Sequence, residues 1–206
     1  LEYKKLYHNE KIILHPPIVR SDVYTNKNEL KNKMGIDLNK PVLVVLTGTN
    51  GNKEINDLMA KNILRFVSKN IHVIWQIGKN VILEPHAGVT MVHFLDNIYE
   101  IYAIADYVIT SAGINTINEL LSLAIPFKLI PYRMSKFNHQ YHNALYTNNV
   151  LSKSSVYTDD YVGIIDTIID EIVIRPPLHS IDVTTYPLII DIENAIRKKD
   201  YNYKIF

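Results

Sequence analysis

The stretch from Asp106 to Gln140 reads as one strand–helix–strand unit, and it commits the chain to a parallel α/β arrangement. Tyr107 to Thr110 is a short β-branched run, and Ser111-Ala112-Gly113 is a turn of small residues whose backbone can approach a ligand closely. Leu120, Leu121 and Ala124 recur at the spacing of a core-facing helical stripe. Pro126 is expected to stop that helix before a strand at Phe127 to Ile130. In an open parallel sheet, the loops leaving the carboxyl ends of the strands form the ligand crevice. Ser111, Gly113, Thr116 and Glu119 are expected to lie there.

The same alternation runs upstream. A short helix is expected from Asn28 to Met34, capped at Gly35. Pro41 then introduces Val42 to Leu46, consecutive apolar residues of the kind buried on both faces of a parallel sheet. Thr47-Gly48-Thr49-Asn50-Gly51 follows as a turn, with a helix after it from about Lys53 to Ser68. Such a turn offers free backbone N–H groups and a positive helix end to a phosphate. Its spacing matches neither the dinucleotide nor the P-loop fingerprint, and two glycines also serve an ordinary tight turn. Further strands are expected at Ile71 to Gln76, broken by Gly78, and at Val89 to Phe94, closed by Leu95-Asp96-Asn97. Ile98, Ile101, Tyr102 and Ala105 mark a helix, and another starts at His139 and runs to about Asn148.

Val156 and Tyr157 read as an edge strand and Tyr161 to Ile174 as a strongly apolar helix, ended by Arg175-Pro176-Pro177. The expected fold is therefore α/β, a Rossmann-like parallel sheet flanked by helices on both faces. Residues 1–40, with a candidate strand at Lys11 to Leu14 and the stiff His15-Pro16-Pro17, form a linker-like lead-in. Residues 41–180 form the domain, and 181–206 carry a last helix, from about Leu188 to Lys199, that packs apart from the sheet.

A chain of 206 residues with 47% hydrophobic residues can bury one good-sized core. Its 22 basic and 21 acidic residues leave a formal charge of +1, which gives no electrostatic reason to expect nucleic acid. Without cysteine there is no disulfide framework, thiolate metal site or cysteine nucleophile, which fits a reducing compartment. No apolar run approaches the roughly 18 residues of a membrane span, so a soluble chain is expected. Beginning at Leu1, it is expected to be a piece of something longer.

His139 and His142 have a spacing that can share a metal, but no third ligand is evident nearby and an exposed helix surface explains the pair equally. Asp159-Asp160 and Asp191-Ile192-Glu193 read as a helix start and a solvated face. Glu119 is a carboxylate able to accept two hydrogen bonds from a vicinal diol such as a ribose, although the spacing also fits an ordinary exposed helix glutamate.

Together these motifs resemble the C-terminal, donor-binding domain of the MurG-like glycosyltransferases of the GT-B fold, over about His15 to Leu145. Pro17-Ile18-Val19-Arg20 is similar to the family's interdomain Asn-Pro-Val-Arg. Thr47 to Gly51 with Ile55-Asn56 resembles Gly-Gly-Ser-x-Gly followed by a hydrophobic-Asn pair, and Phe94-Leu95-Asp96-Asn97-Ile98 resembles its Phe-hydrophobic-Asp turn. Gly113, Thr116 and Glu119 match Gly-Ala-x-Thr-x-x-Glu, while His139-Gln140 with Asn143-Ala144 matches His-Gln-x-x-Asn-Ala. Ser111 stands where the family usually has arginine, Ile114 where it has alanine and Ala124 where it has glycine. Losing that arginine removes a fixed cation from the cleft.

The resemblance implies a role for each position. Gly48, Thr49, Asn50 and Gly51 would cradle the diphosphate of a UDP-sugar, with Arg20 approaching it from the cleft and the Ser111–Gly113 turn beside it. The backbone of Leu95 would read the uracil, Glu119 would hold the ribose hydroxyls, and His139 and Gln140 would contact the sugar, with Thr116 on the same helix as Glu119. It also implies inverting transfer from a donor such as UDP-N-acetylglucosamine to a lipid-linked acceptor, at the cytoplasmic face of a membrane and without a metal cofactor. The catalytic base and acceptor surface would belong to an N-terminal domain not encoded here, or to a separate subunit. A nucleotide-sugar epimerase or hydrolase, or a non-catalytic sugar-nucleotide-binding module, are the alternatives.

Overall fold

The computed structural model describes residues 26–150, 161 and 163–174. Arg20, the strand at Lys11 to Leu14, the edge strand at Val156, the C-terminal helix near Leu188 and the Asp159 and Asp191 pairs lie outside the described residues.

Helix α1 (Lys27–Lys33) starts on Asn26, whose side chain accepts from the N–H groups of Asn28 and Glu29. Strand β1 is Val42–Leu46, α2 is Lys53–Ser68, β2 is His72–Gln76 and β3 is Val89–Val92. Helix α3 (Ile98–Ile104), β4 (Tyr107–Thr110), α4 (Ile114–Ser122) and β5 (Phe127–Leu129) follow. A 3-10 turn at Lys136–Asn138 leads into α5 (His139–Val150), and α6 is Ile164–Ile174. The five strands are all parallel, in the order β3-β2-β1-β4-β5.

Strand alternation splits the core in two. Val42, Val44 and Leu46 face α1, α3 and α4, together with Ile74, Val108 and Leu120. Leu43 and Val45 face α2 and α6, against Met59, Phe66, Trp75 and Ile168. Every residue of β1 is buried, as expected of a central parallel strand with helices on both sides. Asp106 sets where β1 and β4 begin, because its carboxylate accepts from Lys27 Nζ at 2.6 Å and from the Val42 N–H at 2.8 Å.

Beyond one-residue shifts at several ends, three boundaries differ from the sequence reading. The third strand stops at Val92, leaving Phe94 52% exposed in the loop beyond it. The apolar C-terminal helix begins at Ile164, after the turn at Gly163, not at Tyr161. Helix α4 ends at Ser122, well before Pro126, so the proline does not stop it. The stop is a left-handed residue, Ala124 at φ +54°, with Ile125 N–H donating to Leu120 O at 3.0 Å and Ala124 N–H to Leu121 O at 3.2 Å. This is a Schellman cap, a geometry that favours glycine because a Cβ strains it. Ala124→Gly is therefore expected to stabilise the domain by roughly 0.5–1 kcal/mol, seen as a higher midpoint in urea with an unchanged slope.

Candidate functional site

The strand order reverses between β1 and β4, and the crevice above their carboxyl ends has a volume of about 510 Å³. It is walled by the turn after β1, by the Phe94–Leu95 turn after β3, and by the start of α4. Gly48, Thr49, Asn50, Gly51, Leu95, Ser111, Gly113, Thr116, Glu119 and Gln140 all line it, drawn from segments far apart in the sequence. His139 does not line it. That residue is exposed at the start of α5, with its Nδ1 2.8 Å from Lys136 O.

The turn after β1 is closed by Gly51 N–H donating to Gly48 O at 3.2 Å. Among the described residues no acceptor takes the N–H of Gly48, Thr49 or Asn50, so these donors are available at the head of α2. The turn is braced from below. Lys79 N–H donates to Thr49 O at 2.9 Å, and Thr47 Oγ1 donates to Gln76 O at 2.6 Å. Asn56, buried on α2, donates from Nδ2 to Ile77 O at 2.9 Å and accepts from Trp75 Nε1 at 3.0 Å. That explains the hydrophobic-Asn pair as a support for the turn, not a ligand contact. Gly78 is pressed against the turn so closely that a Cβ on it would lie 2.3 Å from Gly51 N.

Asn52, not singled out in the sequence, joins three loops. Its Oδ1 accepts from Glu54 N–H at 2.9 Å and Ile55 N–H at 3.3 Å, capping α2. Its Nδ2 donates to Ser111 Oγ at 3.2 Å and to Ile130 O at 3.3 Å, at the ends of β4 and β5. Ser111, in the arginine position, thus serves as an acceptor that fixes the cap. Arg133 Nε stands 3.4 Å from Glu54 Oε1, one residue beyond the crevice-lining Tyr132. Asparagine just ahead of a helix was the available signal for Asn52.

Glu119 is no ordinary surface glutamate. Tyr102 Oη donates to its Oε2 at 2.9 Å and Tyr99 Oη to its Oε1 at 3.3 Å, so each oxygen is aimed while retaining a lone pair. The two rings pack edge to face at 5.9 Å, which fixes both donors. Burial, and then the negative charge of Glu119, push the Tyr102 phenol well above its ordinary pKa, so it remains a donor. Sequence periodicity had marked Tyr102 only as part of the apolar stripe of its helix. Across the crevice, Gln140 Oε1 accepts from Tyr132 N–H at 2.9 Å, and Asn143 Nδ2 donates to Ala112 O at 3.1 Å. These contacts give the His-Gln-x-x-Asn-Ala motif a role in holding α5 against the segment after β5, through Gln140, and against the β4–α4 loop, through Asn143.

His142 packs edge-on against Tyr141, and among the described residues there is no group of three or more metal-ligating side chains. No helix among the described residues is long and apolar enough to cross a membrane.

The class defined by this fold and crevice is a doubly wound α/β domain with its ligand site at the switch point, an anion-ready turn on one side and an aimed carboxylate on the other. The glycosyltransferase family 28 C-terminal domain matches residues 42–172, well over half of the chain, and the chain belongs to that family. It is 29% identical over 180 residues to the UDP-N-acetylglucosamine–N-acetylmuramyl-(pentapeptide) pyrophosphoryl-undecaprenol N-acetylglucosamine transferase of Flavobacterium psychrophilum, covering 82% of this chain and 49% of that protein. To the transferase of the same name from Carboxydothermus hydrogenoformans it is 34% identical over 140 residues, covering 61% of this chain and 37% of that protein. Among solved structures, MurG of Acinetobacter baumannii is similar with a TM-score of 0.46 and 17% identity, over 68% of this chain and 42% of that one. The chain thus spans about half or less of the length of the curated relatives it matches.

Proposed function

We propose that the chain is the donor-binding half of an inverting glycosyltransferase that uses UDP-N-acetylglucosamine, with a lipid-linked acceptor brought by a further domain or a separate subunit. The observation that carries this reading is the pairing, in one crevice, of the free N–H groups of Gly48 to Asn50 with the tyrosine-held carboxylate of Glu119. The diphosphate rests on the turn and the positive end of α2, beside Ser111 and Gly113. The ribose hydroxyls donate to Glu119, which shares the crevice side of α4 with Thr116, and the uracil meets the backbone of Leu95. Gln140 is assigned to the sugar and Arg20 to the outer phosphate, while His139, which stands outside the crevice, is given no contact.

In transfer, the acceptor hydroxyl attacks the anomeric carbon from the face opposite the diphosphate. The bond from that carbon to the β-phosphate oxygen breaks, and its electron pair passes to the diphosphate, whose growing charge the α2 N-terminus stabilises. The acceptor proton goes to a base outside this chain. No divalent cation is assigned a part. The names of the relatives, which specify a UDP-N-acetylglucosamine donor and an undecaprenol-linked acceptor, support both substrates. The place of action assigned is the cytoplasmic face of a membrane, where a nucleotide-sugar and a lipid-linked acceptor meet.

Ser111 in the arginine position favours a second reading, a sugar-nucleotide-binding module without turnover. Mixing the chain with the acceptor half of a relative, radiolabelled UDP-N-acetylglucosamine and the lipid-linked acceptor separates the two. Labelled lipid from the mixture, and none from this chain alone, is the expected result. Free labelled sugar without acceptor indicates a hydrolase, and donor binding with no product from any mixture indicates the module.

A further inference from the structure

Gln76 ends β2, between the phosphate turn that follows β1 and the Phe94–Leu95 turn that follows β3. The register sets it beside Leu46 on one side and Val92 on the other. Because Ile74 faces α3 and α4 while Trp75 faces α2, the strand period turns Gln76 toward the α3 and α4 side, into the crevice floor. It is only 7% exposed, yet it lines the crevice. Among the described residues no partner takes either its Oε1 or its Nε2, although its main-chain carbonyl is occupied by Thr47.

Neither amide atom is sealed from the crevice, since the one buried side-chain polar atom without a partner among the described residues is Glu54 Oε2, so both keep their hydrogen-bonding capacity for a ligand there. Leu46 stands beside it in the sheet, Leu95 and Ile98 bring apolar side chains to the same crevice, and the Tyr102 hydroxyl there donates to Glu119. These surroundings match a flat ligand group that is apolar on its faces and carries a donor and an acceptor side by side on one edge. We infer that Gln76 anchors the nucleobase of the donor, its Nε2 donating to a ring carbonyl and its Oε1 accepting from a ring N–H of a pyrimidine. The inference rests on the donor reading above and adds to it a side-chain contact from the floor, apart from the backbone of Leu95 at the rim. Gln76 is a positioning residue: it is remote from the bond that breaks and acts by fixing the nucleoside end.

Titration of uridine, UDP and inorganic diphosphate into the wild type and Gln76→Leu is the test. The variant is expected to lose about tenfold in affinity for both uridine and UDP, the scale of one or two hydrogen bonds left unmade, and to keep its affinity for diphosphate. Equal affinity for uridine in both proteins overturns the inference while leaving the donor reading intact. A wild type that binds diphosphate but neither uridine nor UDP overturns both. If the variant fails to fold, the wild type still decides: the Gln76 side-chain amide resonances should move on adding uridine and stay in place on adding diphosphate. Unmoved resonances with saturating uridine refute the contact.

Discussion

Gly78→Ala is expected to destabilise the domain by roughly 3–5 kcal/mol and to abolish nucleotide binding in whatever remains folded. The new Cβ would lie 2.3 Å from Gly51 N, 2.4 Å from Gly51 Cα and 2.8 Å from Asn50 C. All three are backbone atoms, so no side chain can rotate away; either the turn after β1 moves or β2 does. Gly78 also sits at φ +91°, where an L-residue carries its own strain. For a domain of this size the melting midpoint should fall by roughly 6–20 °C. Gly113→Ala is the control, since a Cβ added there would meet nothing within 4 Å and that glycine already adopts φ −72°. A Gly78→Ala protein that melts like the wild type would mean that the two turns are not packed as described.

Glu119→Ala should weaken UDP binding by about 1–3 kcal/mol, or roughly fivefold to 150-fold, with a smaller loss of stability. The ribose hydroxyls lose their acceptor, and the Tyr102 hydroxyl, on a residue only 3% exposed, is left without the carboxylate it donates to. Adding Tyr102→Phe to that variant should recover the stability part alone, because it removes the orphaned hydroxyl. Isothermal calorimetry and urea unfolding of the single and double variants separate the two effects. Unchanged UDP affinity in Glu119→Ala would remove this carboxylate from the site.

The fold was legible in the sequence where burial on both faces wrote it. Val42 to Leu46 and Tyr107 to Thr110 are strands with the expected bounds, because a central parallel strand has no polar side to blur its ends. Edge strand β3 was harder. All its residues are half-buried, and the apolar pattern ran on into Phe94, which lies exposed beside the crevice. The α4 stop was misread because a proline is visible in sequence, whereas a left-handed alanine is not.

Within the site, the turn after β1 and Glu119 stood out by residue type, and only the family resemblance gave them roles. Of their supports, Asn56 showed only as part of a family motif and Asn52 only as an asparagine ahead of a helix, while Tyr99, Tyr102 and Gln76 look like helix or strand filler until the sheet order brings them together. Gly78 showed in sequence only as a strand breaker. Its contact with Gly51 joins the ends of β1 and β2, a meeting that no local pattern encodes.

The most direct test of the donor site is a calorimetric titration of this chain with UDP, UDP-N-acetylglucosamine and ADP, each with and without EDTA. The site is built from backbone N–H groups, the α2 N-terminus and one carboxylate, and no metal cluster lies among the described residues. Modest binding of both uridine nucleotides, weaker binding of ADP and indifference to EDTA are the predicted results. No heat with millimolar UDP, equal affinity for ADP, or binding abolished by chelation would contradict it.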